Sequence, residues 1–358
     1  MTMRDWWYVL LCGLVAAKQR RSIPIYVLAG DDNVEGFASI SHLKSLSAEF
    51  PHWSTLDTVP NAFVAYEHRG SWEYGPLDFS YGHNRTTFGP EMEFGRVLSR
   101  TTNDPVVILK VSGQSLAGDL QSPRSGRPGK NWARLLSSLT KVVQPKFLGE
   151  LVGLPKVRPD LRGVVWWQGY PDLIGKNKDY ESQLTNWILD LQDAWGEDLT
   201  GYLPIYVVQL AGMGRNASSA EIAFRQMQRR VVNATNFTHW VAVEQYSNDE
   251  DPQRDDYVHY YGRADTMLHV GGAMAQAVIA EDDWAGELPT EAQMEDRAHG
   301  FFDLGIGSLA LILFGIVFGG AYHWHRHQYR LQTEDWEEED EKNHPAVEFT
   351  DHPVRNVV

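Results

Sequence analysis

The sequence of 358 residues contains a single cysteine, Cys12. One cysteine excludes an intramolecular disulfide framework, a cysteine-based zinc site and a CxxC redox pair. Basic residues are also scarce, since 32 lysines and arginines stand against 47 acidic residues and the net charge is −15. Nucleic-acid binding needs a basic surface, so we expect no nucleic-acid partner. The chain shows neither a phosphate-binding glycine-rich loop nor a metal-ligand spacing, so we expect no cofactor and no metal.

Two apolar segments lie near the ends of a chain that is otherwise 22% charged. Leu304 to Tyr322 carries no charge, and at about 1.5 Å per residue it nearly matches a hydrocarbon core of roughly 30 Å. Arg326 and Arg330 follow it, which predicts a transmembrane helix with a cytoplasmic C-terminus. Gly315 and Gly319 form a GxxxG spacing inside this helix, a candidate homodimer contact.

The apolar run Trp6 to Ala17 is typical of a signal peptide, with an uncleaved N-terminal anchor as the alternative. These features predict a single-pass type I membrane protein of the secretory pathway or cell surface. Its segments are a signal peptide (1–17), an extracytoplasmic domain (18–280), a stalk (281–303), the span (304–322) and an acidic cytoplasmic tail (323–358). Four sequons precede the span, and we take their asparagines as candidate glycosylation sites: Asn84, Asn216, Asn233 and Asn236.

Between the ends, short apolar runs alternate with helical patterns. The runs predict strands at Ile23–Ala29, Ala62–Tyr66, Val106–Val111, Gly163–Gln168, Ile205–Leu210 and Trp240–Gln245. The periodic segments predict helices near Glu91–Arg100, Asn131–Gly149, Lys178–Trp195, Ser219–Asn233 and Arg263–Ile279, with a capping box at Ser218-x-x-Glu221. Nearly continuous hydrophobicity indicates strands covered on both faces. The alternation predicts a doubly wound parallel sheet, whose ligands bind beyond the carboxyl ends of the strands.

Five segments follow one another in a recognisable order. They are LAGDDNVEG (28–36), GPEMEFGRVL (89–98), VSGQSL (111–116), VVWWQGYPD (164–172) and DDYVHYYG (255–262). Together they resemble the sialate O-acetylesterase family, also called family 6 carbohydrate esterases, within the SGNH or GDSL-type hydrolases. The resemblance covers about residues 23–280. It implies a three-layer α/β/α sandwich with a parallel, flavodoxin-like sheet, and an O-acetylated carbohydrate or glycan as ligand.

The resemblance also implies roles for individual residues. The first motif of the family reads G-Q-S-N, and its serine is the nucleophile; here Asp32 stands at the position of the serine, followed by Asn33. The D-x-x-H pair that supplies and orients the general base matches Asp256 and His259.

The implied oxyanion donors are the backbone N–H of residue 32, Gly113 and the Gln168 side chain, and Asn33 is included among the substrate-binding residues. Where the family has W-x-Q-G-E, Tyr170 replaces the glutamate.

An aspartate at the nucleophile position changes the chemistry. Ester cleavage by this scheme needs a hydroxyl that histidine can deprotonate, and the Asp32 carboxylate has no proton to give at neutral pH. It also favours the imidazolium form of a neighbouring histidine, which is the wrong form for a base. We therefore predict impaired or lost esterase activity, with the cleft retained for glycan binding or as a scaffold.

Alternatives to this prediction remain open. Asp32 attacks the ester as a carboxylate nucleophile in one of them, and Ser115 serves as the nucleophile in another. A third alternative is a membrane adaptor that acts through the acidic cluster Glu334 to Glu341, for which a solvated tail is the simple interpretation. Simple structural roles also exist for the site residues: an N-cap pair at Asp32 and Asn33, a loop ion pair of Asp256 with His259, and a strand-end cap at Gln168.

Overall fold

The computed structural model describes residues 21–53, 58–68, 71–199, 203–212, 217–247 and 257–285. Its strands are β1 (Arg21–Gly30), β2 (Ala38–Ser39), β3 (Thr58–His68), β4 (Ser71–Asp78), β5 (Thr87–Phe88), β6 (Val106–Ser112), β7 (Val157–Trp167), β8 (Ile205–Val208) and β9 (Thr238–Val241). Its helices are α1 (Asp32–Glu35), α2 (Ile40–Ser45), α3 (Glu91–Leu98), α4 (Lys130–Val142), α5 (Pro145–Val152), α6 (Tyr170–Ile174), α7 (Tyr180–Leu199), α8 (Ser219–Ala234) and α9 (Ala264–Ala285).

The central sheet has the strand order β4-β3-β6-β1-β7-β8-β9. All neighbours from β3 to β9 pair in parallel, and β4 pairs antiparallel with β3. Five neighbouring strands of the sheet, β6-β1-β7-β8-β9, follow the 2-1-3-4-5 order of flavodoxin-like folds. The prediction of a parallel α/β sheet is confirmed in part, because the central sheet is mostly parallel. It is mixed because β4, which begins at Ser71 soon after β3 ends at His68, pairs antiparallel with β3.

Helices cover both faces of the sheet. On one face the Tyr26 ring of β1 meets the Phe94 ring of α3 at 5.8 Å between centroids. On the other face Trp166 of β7 lies 3.9 Å from Trp187 of α7, and Trp132 of α4 contacts the same ring at 6.1 Å. Every residue of β6 is buried, as expected for a strand covered on both sides.

The structure corrects the predicted helix Asn131–Gly149, which is divided into α4 and α5. Pro145 lacks an N–H and disfavours helical backbone at the residue before it. Gln144 accordingly adopts an extended conformation, and Pro145 opens α5. In contrast, the capping box is confirmed: the Ser218 hydroxyl accepts a hydrogen bond from the Glu221 N–H at 3.1 Å, and α8 begins at Ser219.

The last predicted strand, Trp240–Gln245, is displaced toward the N-terminus. β9 ends at Val241, and a 3-10 turn follows at Glu244–Tyr246. The cause is a side chain from the neighbouring strand end: Gln209 Oε1 accepts hydrogen bonds from the Val243 and Glu244 N–H groups at 3.1 and 3.2 Å. These bonds draw the chain out of the extended conformation.

Among the described residues, no helix is both long and apolar enough to cross a membrane. The predicted signal peptide, the predicted span 304–322 with Gly315 and Gly319, and the acidic tail lie outside the described residues. The candidate glycosylation sites Asn84, Asn233 and Asn236 are exposed, and Asn216 lies outside the described part.

Trp187 is expected to be a principal stabilising residue because it is fully buried between Trp166 and Trp132. Trp187→Ala should lower the free energy of unfolding by about 3 to 5 kcal/mol, the range for truncating a large buried aromatic side chain. Leu189→Ala is the matched control on the same helix, where 36% of the side chain is exposed, and it should change stability by about 0.5 kcal/mol. Urea unfolding measures both. Equal losses in the two variants would contradict this packing.

Candidate active site

The candidate site lies where β1, β6 and β7 end, in the loops that carry three of the sequence motifs. At Gly30, β1 and β7 approach each other so closely that a Cβ atom at this position would lie 1.9 Å from the Trp167 carbonyl oxygen. This close approach lets the Asp31 N–H donate to the same oxygen at 3.1 Å. Glycine is therefore required where the first motif leaves the sheet.

The buried Asp31 side chain connects two of these loops through hydrogen bonds. Its Oδ1 accepts a hydrogen bond from the Asn33 N–H at 3.1 Å, which caps α1. Its Oδ2 accepts from Gly169 N at 3.0 Å and from Tyr170 N at 3.4 Å, at the start of α6. Burial raises the pKa of Asp31 to about 7, although these three N–H donors favour the charged form. Sequence reasoning did not single out this residue.

Asp32 lies in the first turn of α1 and is half-buried. Because Asp31 is the N-cap, the interpretation of Asp32 as a helix cap is not supported. Its Oδ1 accepts a hydrogen bond from Gln114 Nε2 at 2.5 Å. Burial raises the pKa of Asp32, and the negative charge of Glu35 acts in the same direction. The Gln114 hydrogen bond and a nearby positive charge on His259 act against it.

Next to Asp32, three aromatic rings form a stack. Phe37 lies between His83 and His259, with ring centroids 4.3 and 4.2 Å apart and interplanar angles of 23° and 13°. His83 Nδ1 lies 2.8 Å from Glu35 Oε1. In the structure His259 lies close enough to Asp32 for the two groups to interact electrostatically. Asp256 lies outside the described residues.

His83 and Glu35 are site residues that the motif comparison missed. A histidine in a loop and a glutamate in a four-residue helix carry no periodicity or spacing signal. Among the described residues, no group of three or more His, Cys, Asp or Glu side chains could hold a metal ion.

The predicted oxyanion donors are present at the sheet edge but are engaged within the protein. The Gly113 N–H donates to the Gly30 carbonyl at 2.7 Å. The Gln168 side chain is fully buried, and its Nε2 donates to the Gln114 carbonyl at 2.9 Å and to Asp172 Oδ2 at 2.6 Å. Asn33, predicted as a substrate-binding residue, donates its backbone N–H to Asp31, and its side-chain Oδ1 is buried without a hydrogen-bond partner, as is Gln168 Oε1. Gly113 N and Gln168 Nε2 therefore hold the loops together, and substrate would have to displace existing hydrogen bonds to use them.

Ser115 donates a hydrogen bond to a carboxylate, which argues against the alternative in which it is the nucleophile. Its hydroxyl donates to Asp172 Oδ1 at 2.8 Å. Asp172 is buried and also accepts hydrogen bonds from Leu116 N at 2.9 Å and Asn177 Nδ2 at 2.7 Å, in addition to Gln168. A nucleophilic serine needs a base that can take its proton, and this carboxylate is already an acceptor for several donors. Asp172 instead fixes the second motif to the third.

A buried ion pair contacts the C-terminal end of α1. Lys110 Nζ lies 3.0 Å from Glu91 Oε2, and both side chains are fully buried. The same Nζ donates to the carbonyl oxygens of Glu35 at 3.0 Å and Tyr81 at 2.5 Å. Burial lowers the pKa of Lys110, and the charge of Glu91 opposes this shift. Lysine in the middle of an apolar strand is the sequence signal that could have identified this contact.

Tyr170, at the position of the family's glutamate, is buried and structural. Its hydroxyl accepts a hydrogen bond from the Gly212 N–H at 2.5 Å and donates to Glu221 Oε1 at 3.4 Å. The tyrosine at this position therefore hydrogen-bonds to α8, and no carboxylate stands there.

A separate surface pocket of about 500 Å³, lined by Glu93, Tyr246 and His269 among others, contains none of the motif residues named above as catalytic or oxyanion groups.

The raised pKa of Asp31 predicts a pH-dependent stability. The folded state keeps a proton on Asp31 between about pH 4 and pH 7, where the unfolded chain has lost it, so the free energy of unfolding should fall as pH rises through this window. Asp31→Asn removes the group and should flatten this slope in urea unfolding at pH 5 and pH 8. Glu150→Gln removes an exposed carboxylate of α5 and should keep the wild-type slope. Identical slopes in wild type and Asp31→Asn would contradict the prediction.

No curated protein sequence matches this chain. Among solved structures, a carbohydrate acetylesterase from Xanthomonas citri is similar with a TM-score of 0.48 and 15% identity over 72% of this chain and 57% of that chain. A family 3 carbohydrate esterase from Clostridium thermocellum gives a TM-score of 0.34 and 12% identity, covering 73% of this chain and 96% of that chain. The chain thus spans little more than half the length of the Xanthomonas protein.

The family comparison is more decisive than these structural similarities. The sequence matches the family described as "Carbohydrate esterase, sialic acid-specific acetylesterase" over residues 22–280. This range contains all five motifs and nearly all of the described elements. Because the match covers more than half of the chain, the protein belongs to this family of carbohydrate esterases.

Proposed function

We propose that this protein is a carbohydrate-esterase-like glycan-binding protein whose hydrolytic activity is impaired or lost. One observation carries the proposal: the carboxylate of Asp32, the residue that the motif resemblance aligns with the family's serine, accepts a 2.5 Å hydrogen bond from Gln114. The rest of the site is well ordered by hydrogen bonds, which supports a retained ligand-binding or scaffold role.

Three physical consequences of Asp32 argue against hydrolysis. A carboxylate offers no hydroxyl for His259 to deprotonate. Its charge favours the imidazolium form of His259, and the two groups interact electrostatically in the structure. It also places negative charge where an oxyanion would develop, and such sites depend on donors that stabilise that charge. The engagement of Gly113 and Gln168 in internal hydrogen bonds weakens the donor set further.

The alternative, an active acetyl ester hydrolase, needs Asp32 or another nucleophile to attack the ester carbonyl, with His259 as the general base and Asp256 as the residue that orients it. The partial burial of Asp32 favours this alternative, because a desolvated carboxylate is a stronger nucleophile than a hydrated one. The two hypotheses differ in what a serine at position 32 would do, so substitution of this residue separates them.

Asp32→Ser should create esterase activity that the wild type lacks. We expect kcat/KM for p-nitrophenyl acetate to rise about 10- to 100-fold above that of the matched variant Asp32→Ala, because a hydroxyl next to His259 restores general-base catalysis. The additional substitution His259→Ala should abolish the gain. Initial rates of p-nitrophenol release measure all variants. Wild-type turnover that His259→Ala eliminates would contradict the proposal and favour a carboxylate nucleophile.

We also propose that the domain is anchored as a type I membrane protein by residues 304–322. The uncharged run, the basic residues after it and four sequons before it support this topology. The full chain, expressed in a host that glycosylates asparagine, should resist carbonate extraction and shift in size after glycosidase treatment. Deletion of 304–322 should release it, whereas deletion of Glu334 to Glu341 should not. Extraction of the intact chain by carbonate would contradict the anchor.

The exposed side chain of Asn84 supports its assignment as a glycosylation site. Its Oδ1 accepts hydrogen bonds from the Thr86 N–H at 2.8 Å and the Thr86 hydroxyl at 2.6 Å, within the Asn84-Arg85-Thr86 sequon.

The acidic cluster Glu334 to Glu341 in the tail offers a docking site for a basic partner, which would make the protein an adaptor. The deletion of Glu334 to Glu341 described above tests this role, because it removes the proposed docking site.

A further inference from the structure

We infer that the cleft selects the de-esterified sugar over its O-acetylated form, because Asp32 accepts hydrogen bonds from free hydroxyl groups at the position where an esterase holds an acetyl ester. This inference rests on the proposed loss of hydrolysis and names the ligand class of the same site. It reverses the preference expected of the family, whose members are described as acetylesterases.

The preference follows from donor and acceptor chemistry. An ionised carboxylate is an acceptor only, and an acetyl ester also presents acceptors only, at its carbonyl and alkoxy oxygens. An acetylated sugar would therefore leave Asp32 without a donor and would bring carbonyl lone pairs toward its charge. A free sugar hydroxyl is both donor and acceptor, so it can donate to Asp32 and still accept from another group.

The hydrogen bonds of Asp32 leave one oxygen for such a ligand. Gln114 Nε2 donates to Oδ1 and thereby orients the carboxylate. Oδ2 accepts no hydrogen bond from any described residue, and the side chain is half-buried rather than fully exposed. A fixed, partly desolvated acceptor gains more from a hydroxyl donor than a mobile, hydrated one, because less ordering and less dehydration remain to be done on binding.

Two imidazole side chains near Asp32 supply further hydrogen-bonding groups for a sugar. The imidazoles of His83 and His259 lie on either side of Phe37 and interact electrostatically with Asp32. Because His83 Nδ1 is paired with Glu35 Oε1, its other ring nitrogen is the atom left to contact a sugar oxygen. Gln114 is exposed beside them. Adjacent sugar hydroxyls suit this arrangement, because one can donate to Asp32 and another to the lone pair of His83 Nε2, whereas an acetyl ester can donate to neither.

A binding experiment with a matched pair of ligands tests the inference. The probes are the methyl glycoside of N-acetylneuraminic acid and the same compound carrying one O-acetyl group, titrated into the full chain in a calorimeter. Acetate release is followed in the same samples. The wild type should bind the free sugar about 10- to 100-fold more tightly, the ratio expected for one hydrogen bond to a charged group.

Two variants make the result specific. Asp32→Ser replaces the obligate acceptor by a hydroxyl that can donate, so the ratio of the two affinities should fall toward one or invert. Glu150→Gln removes one negative charge from an exposed position in α5 and should keep the wild-type ratio. A near-native unfolding transition for Asp32→Ser, measured in urea, distinguishes a change in recognition from a failure to fold.

The outcomes separate this inference from the proposed function. Equal affinity, tighter binding of the acetylated ligand, or no binding of either ligand, each without acetate release, would overturn the inference and leave the loss of hydrolysis standing. Rapid acetate release by the wild type would overturn the proposed function itself. A selectivity that Asp32→Ser leaves unchanged would show that the carboxylate is not the selecting group.

Discussion

The buried carboxylate of Asp31 is the contact on which the geometry of the site depends. It accepts hydrogen bonds from the N–H groups of Asn33, Gly169 and Tyr170, and so joins the start of α1 to the start of α6. An isolated carboxylate is costly to bury, and these three donors offset part of that cost. Because α1 is held in this way, the next residue, Asp32, has its side chain directed to Gln114 at the cleft.

Other buried polar contacts extend this framework beneath the cleft. Asp172 ties the second and third motifs together, and the Lys110–Glu91 pair supports the end of α1. Such networks are stable only when nearly every member is satisfied. These contacts order the loops around Asp32. If Asp32 stands at the position of the family's serine, as proposed above, this ordered arrangement suits the binding of hydroxyl groups better than acyl transfer.

Much of the fold was predictable because it follows from local signals. Continuous apolar runs marked the strands that pair to form the parallel sheet, and the Ser218 capping box marked the start of α8. Errors arose where a distant side chain or a proline overrode the local pattern, as Gln209 does at the end of β9 and Pro145 does between α4 and α5. The edge strand β4 carried no apolar run or clear alternation, since all of its residues but Leu77 are exposed or only partly buried.

The amino-acid sequence was sufficient to indicate the family and the alternation of strands and helices, because both depend on residue type and order along the chain. It could not distinguish the roles of Asp31 and Asp32, which are adjacent and chemically identical. Only the fold distinguishes them. Asp31 accepts a buried hydrogen bond from Gly169, 138 residues away along the chain, whereas Asp32 accepts one from the exposed Gln114, 82 residues away. Hydrogen-bond partners at such separations are set by the register of β1, β6 and β7, and that register exists only in the folded protein.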